Sequence, residues 1–129
     1  MANELILIVE DNEKNRRLAR DILQVKSYRT IEAETAEAGL EMAPRENPDL
    51  VLMDIQLPGM NGIQALKKLR ENEATRGIPV LAFTASVMPQ DRREIMEAGF
   101  DGFVAKPINL KEFIATVAAA LDKDPAGGS

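Results

Sequence analysis

The 129-residue chain contains no cysteine and no histidine. Without cysteine there is no disulfide, no thiolate zinc site and no thiol nucleophile. Without histidine there is no Ser-His-Asp or Cys-His catalytic arrangement. Any metal must therefore be held by oxygen, which favours magnesium or calcium. A basic balance is also missing: Lys+Arg 16 against Asp+Glu 21 leaves a formal net charge of −5. A nucleic-acid-binding face needs the opposite sign. The first residues, Met1-Ala2-Asn3-Glu4, carry no basic segment ahead of the apolar run Leu5-Ile6-Leu7-Ile8-Val9. That run is too short for a signal peptide or a membrane span, so a cytoplasmic protein with no membrane partner is expected. Neither a dinucleotide glycine fingerprint nor a P-loop follows the run; Glu10-Asp11 stands there instead.

What is present alternates between two periodicities. Leu5–Val9 is a continuous apolar run, the pattern of a strand buried on both faces. Helical spacing follows from Asn12, with Asn15, Leu18, Ile22 and Val25 on one face. Arg29-Thr30-Ile31-Glu32-Ala33 alternates polar and apolar, as a half-exposed edge strand does. Thr35 can cap a second helix, which Pro44 is expected to shorten or kink because it removes a backbone donor. Asn47-Pro48-Asp49 turns into Leu50-Val51-Leu52-Met53-Asp54, a second fully apolar strand running straight into an aspartate. Ile63, Leu66 and Leu69 line a third helix that Gly77 is expected to close. Pro79-Val80-Leu81-Ala82-Phe83 is another buried strand, ending at Thr84. Pro89 suits the first position of a fourth helix that stops at Gly99. Gly102-Phe103-Val104-Ala105 ends at Lys106-Pro107, and Leu110, Phe113, Ile114, Val117 and Leu121 mark an amphipathic last helix. Residues 124–129 are expected to be a disordered tail.

Strand and helix thus alternate five times, in units of roughly 25 residues, the pattern of an α/β domain with a parallel sheet covered on both faces. In such a sheet the carboxyl ends of the strands share one edge, where ligands bind. That edge collects Glu10 and Asp11, Asp54, Thr84 and Lys106. Taken singly, the acids and the threonine serve as helix caps and turn residues, and a lysine as a solvated charge. Together they mean more. Three carboxylates in one cleft repel one another by about 1 kcal/mol per pair in water and several times that near a protein surface. A divalent cation removes that cost. Lys106 and Thr84 add nothing to a metal site, but a fixed cation and a hydroxyl donor suit the oxygens of a phosphoryl group.

Ile8-Val9-Glu10-Asp11-Asn12, Met53-Asp54-Ile55-Gln56-Leu57-Pro58-Gly59-Met60-Asn61-Gly62, Thr84-Ala85 and Lys106-Pro107 occur in that order. Through them the chain resembles the receiver domain of two-component response regulators, from Glu4 to about Lys123. The resemblance implies a doubly wound, flavodoxin-like, CheY-like (βα)5 fold with strand order 2-1-3-4-5, as a single domain over residues 1–123. It implies that Asp54 accepts a phosphoryl group from a phosphohistidine on a histidine kinase or histidine phosphotransfer protein. It also implies that Asp11, Asp54 and the backbone carbonyl of Gln56 ligate Mg²⁺, with Glu10 helping mainly through water. Lys106 and Thr84 hold the phosphoryl oxygens. Thr84 and Phe103 form the switch, Pro107 follows a cis peptide bond, and the face of the fourth helix, fifth strand and fifth helix meets a downstream protein. A monomer or a weak, phosphorylation-linked dimer is expected, as a stand-alone regulator that catalyses only its own phosphorylation and dephosphorylation. Phe103 lacks the hydroxyl of a tyrosine, so a steric switch is expected rather than a hydrogen-bonded one.

Three other readings have less support. A receiver cut from a hybrid histidine kinase would share every motif. An aspartate-nucleophile phosphatase places a second acid two residues after the nucleophile, where Gln56 stands. A flavin-binding electron carrier is opposed by two carboxylates in the first loop.

Overall fold

Each apolar run forms a strand, and each stretch of helical spacing a helix, in the computed structural model, which describes residues 3–85 and 88–122. The elements in order are β1 (Leu5–Val9), α1 (Glu13–Val25), β2 (Arg29–Ala33), α2 (Ala36–Glu46), β3 (Leu50–Asp54), α3 (Gly62–Glu71), β4 (Val80–Thr84), α4 (Pro89–Ala98), β5 (Gly102–Ala105) and α5 (Leu110–Asp122). All strand pairs are parallel, in the order β2-β1-β3-β4-β5. This is the doubly wound, flavodoxin-like arrangement.

The continuous apolar strands are explained by a core on each side. Successive side chains of a strand point to opposite faces. Leu7, Val9, Val51 and Met53 pack with Ala43 of α2, Leu66 of α3 and Ile95 of α4. Their neighbours Ile6, Ile8, Leu50 and Leu52 pack with Leu23 of α1 and Phe113 of α5. The edge strand β2, buried only at Ala33, needs fewer apolar residues and has them.

Three local expectations are corrected. The face of α1 that meets the sheet carries Ala19 and Leu23, with Ile22 at its margin. Leu18 and Val25, placed on that face by their spacing, are 46% and 81% exposed. Both sets share one helical period; the buried one holds the small Ala19, which lets the helix come close to the sheet.

In α2, Pro44 neither ends nor shortens the helix, which continues to Glu46. So near the carboxyl end a proline removes a single helical hydrogen bond. The helix stops instead at Asn47, in the left-handed region (φ 51°), whose N–H donates to the carbonyl of Ala43. The third helix ends at Glu71 rather than at Gly77. There Asn72 Oδ1 accepts from Ala74 N at 2.9 Å, and the Thr75 hydroxyl donates to Leu69 O at 2.7 Å. These side chains offer the backbone a turn in place of further helix. Ser86, two residues past Thr84, and the tail over residues 124–129 lie outside the described residues.

Candidate functional site

Strand register builds the site. Val9 pairs with Met53, so Glu10 leaves β1 beside Asp54, the last residue of β3. Asp54 pairs with Phe83 and Thr84 with Ala105, which puts Lys106 two residues farther along the strand direction. At about 3.3 Å per residue and about 4.8 Å between strands, a short side chain on β5 could not return to β3. The lysine spans the gap. Its Nζ passes 4.7 Å from the ring centroid of Phe83 on β4, reaching Asp54 Oδ2 at 3.2 Å and Glu10 Oε1 at 2.8 Å. The aromatic face offers a cation a favourable path, worth roughly 0.5–1 kcal/mol or more as water is excluded.

Backbone bonds hold the other members in place. Lys106 N donates to Thr84 O at 2.8 Å, tying the threonine and the lysine at the ends of β4 and β5. Gln56 N donates to Asp54 Oδ1 at 3.0 Å, and Asn12 N to Glu10 Oε2 at 2.9 Å. Glu10, Asp54 and Thr84 are buried, whereas Asp11 is exposed at the mouth. Phe103 is half-buried on β5 beneath the guanidinium of Arg92, 5.3 Å from its ring centroid. The Lys106–Pro107 peptide bond is cis.

Glu10, Asp11 and Asp54 each offer a carboxylate oxygen within 4.8 Å of the others. One lysine cannot neutralise three carboxylates. Burial pushes the Glu10 carboxyl up to about 7; Lys106 and the Asn12 N–H oppose the rise, and the neighbouring Asp54 adds to it. Glu10 Oε1 touches Lys106 Nζ as an ion pair but accepts no hydrogen bond of regular geometry. The donor set is therefore all oxygen, under-neutralised and open on the Asp11 side, which fits a hard divalent cation such as Mg²⁺.

Two features of the site escape a reading of motifs. A Cβ on Gly62 would lie 2.4 Å from the carbonyl oxygen of Asp54, so only glycine lets α3 start against the end of β3. The signal for it was the Asn61-Gly62 pair: Asn61 caps α3 in a reciprocal box with Gln64. The second is Phe83 under the lysine, which looked like one more core residue of an apolar run.

Known proteins share this architecture. The receiver domain of the sensor histidine kinase PA1611 from Pseudomonas aeruginosa PAO1, described with a magnesium ion coordinated in its active-site cleft, superposes with a TM-score of 0.86. It is 30% identical, over 95% of this chain and 100% of that one. A putative response regulator from Chloroflexus aurantiacus superposes with a TM-score of 0.89 at 26% identity, over 94% and 99% of the two chains. In sequence, the polar-differentiation response regulator DivK of Brucella ovis is 40% identical over 116 residues, 90% of this chain and 94% of that protein. DivK of Brucella anthropi matches to the same extent. Because the response regulator receiver domain model itself matches residues 6–118, the chain belongs to that family.

Proposed function

We propose that this receiver domain accepts a phosphoryl group on Asp54 from a phosphohistidine of a histidine kinase or phosphotransfer protein, and signals by the resulting change of shape. The observation that carries this reading is the single lysine bridging Asp54 and Glu10 at the mouth of an acidic cluster. A carboxylate oxygen of Asp54 attacks phosphorus, an O–P bond forms and the P–N bond breaks. Its electron pair stays on the imidazole, which leaves neutral because its other nitrogen carries a proton. The histidine missing from this chain belongs to the donor.

Each residue then has one task. Lys106 leaves its carboxylate partners to pair with the phosphoryl oxygens, and the Thr84 hydroxyl donates to one of them. The Gln56 N–H holds Asp54 Oδ1, orienting the nucleophile. Asp11, Asp54 and the carbonyl of Gln56 would hold Mg²⁺, with Glu10 assisting through water. When bound, the ion offsets the repulsion between the carboxylates and the incoming phosphoryl group. The PA1611 receiver, described with magnesium in its active-site cleft, supports a cation at this site.

Phosphorylation adds negative charge and acceptor oxygens beside Thr84. An inward shift of that hydroxyl vacates space that the Phe103 ring can fill, a steric coupling that needs no hydroxyl on the ring. The face formed by α4, β5 and α5 changes with it and meets a downstream protein. Two states separated by a few kcal/mol suffice. The chain acts on no external substrate.

The test is Asp54→Asn with a small phosphodonor and MgCl₂, followed by intact mass. Wild type is expected to gain one phosphoryl group and the variant none, with its far-ultraviolet circular dichroism unchanged. A variant labelled stoichiometrically would overturn the assignment.

A further inference from the structure

Arg16 offers no ligand to the acidic cluster, yet it grips the cluster's backbone. Its Nη1 donates to the main-chain carbonyl of Glu10 at 3.0 Å, and its Nε to Glu32 Oε1 on β2 at 3.1 Å. The side chain is only 12% exposed. From the opposite direction, Glu10 N donates to Ala33 O at 3.0 Å. Glu10 is thus held at both of its backbone polar groups, once by β2 directly and once by an arginine braced on β2.

The carbonyl of Glu10 and the N–H of Asp11 belong to one planar peptide group. A donor that fixes the direction of that carbonyl also fixes the direction in which the chain leaves for Asp11. This matters because the two acids are anchored differently. The Glu10 side chain is held by Lys106 and by the Asn12 N–H. The carboxylate of Asp11 has no hydrogen bond or ion pair among the described residues; its place is set by the backbone alone.

We propose that Arg16 is a positioning residue for the cation site: it orients the Glu10–Asp11 peptide so that the Asp11 carboxylate faces Asp54. The inference rests on the reading of Asp11 as a Mg²⁺ ligand. It also has a sign opposite to that of charge alone. A guanidinium next to a cation site repels the cation, so as a mere charge its removal tightens binding. As a positioner its removal weakens binding.

Calorimetric titration of the full chain with MgCl₂ separates the two. Arg16→Met is expected to weaken binding about tenfold, the scale of losing a group that orients a metal ligand. Arg17→Met removes the same charge from the neighbouring, exposed position, where among the described residues it pairs only with Glu13. It is expected to stay within about twofold, since exposed charges are screened. Arg16→Lys, which keeps the charge but not the fork between two acceptors, is expected to fall between. Arg16→Gln, which also removes the charge but keeps a polar end at this part-buried position, carries the test if Arg16→Met does not fold, since charge alone would again tighten binding. Thermal unfolding in chelator, run alongside, reports any purely structural effect.

Binding by Arg16→Met as tight as wild type or tighter, or an equal loss in Arg17→Met, overturns the inference while leaving the cation site standing. Failure of the wild type itself to bind Mg²⁺ overturns the reading of the site and this inference with it.

Discussion

Lys106 Nζ lies 3.2 Å from Asp54 Oδ2 although β4 runs between β3, which carries Asp54, and β5, which Lys106 follows. The contact exists because the side chain extends over Phe83 and because Lys106 N is tied to Thr84 O, which sets where the lysine starts. In the same position the ammonium contacts Glu10. One flexible cation is therefore shared by Asp54 and by the buried Glu10, and in the proposed reaction a phosphoryl group would have to win it from both.

Lys106→Met is expected to slow phosphorylation by a small phosphodonor about a hundredfold or more, the usual cost of losing one preorganised contact to developing charge. Mg²⁺ affinity should be kept or raised, because the variant removes a competing cation. Without metal, the uncompensated carboxylates should destabilise the fold by on the order of 1–3 kcal/mol. Phosphorylation kinetics at saturating MgCl₂ and urea unfolding in chelator check the two halves separately.

Stability should depend on pH in a direction set by Glu10. Its folded value of about 7 lies above the ordinary 4.5, so the folded state keeps a proton that the unfolded state has already lost. The stability this group contributes is fully present below about pH 4.5 and is lost as pH rises through about 7. Glu10→Gln should remove that part of the slope, and urea unfolding at a series of pH values in chelator compares the two proteins. Added MgCl₂ should stabilise wild type more at pH 8 than at pH 6, because below pH 7 the cation competes with a proton. An identical pH profile for the two proteins would contradict the burial of an ionisable Glu10.

Gly62→Ala brings a Cβ to 2.4 Å from Asp54 O and 2.8 Å from the Ile55 Cα, both backbone atoms that cannot rotate aside. A loss of about 1–3 kcal/mol is expected from forced overpacking. Because the displaced atoms belong to Asp54 and its neighbour, phosphorylation should slow even at temperatures where the variant is fully folded. Gly77→Ala has no such neighbour within 4 Å and should leave both stability and phosphorylation near wild type. Thermal unfolding and phosphodonor labelling of the pair provide the comparison.

How much was legible in the sequence differs from element to element. Strand bounds Leu5–Val9, Arg29–Ala33 and Gly102–Ala105 agree with those read from the sequence: the strand buried on both faces is a continuous apolar run, and the half-exposed edge strand alternates. The stripe of α1 did not, since Leu18 and Val25 recur with the same period as Ala19 and Leu23, and only contact with the sheet chooses between them. The end of α3 was also hidden, because Asn72 and Thr75 stop it by side-chain hydrogen bonds that compete locally with the helix.

Chain order alone determined that Glu10, Asp11, Asp54, Thr84 and Lys106 stand at or just past strand ends, and the absence of histidine and cysteine confined any metal to oxygen ligands. The tertiary structure decided what these residues do to one another: that Lys106 is shared between two acids, that Glu10 is buried and hard to ionise, and that Arg16 holds the peptide ahead of Asp11. Spacing along a chain records which group sits at which end of a strand. Distances across a sheet depend on strand order, register and side-chain length, and those exist only once the strands have paired.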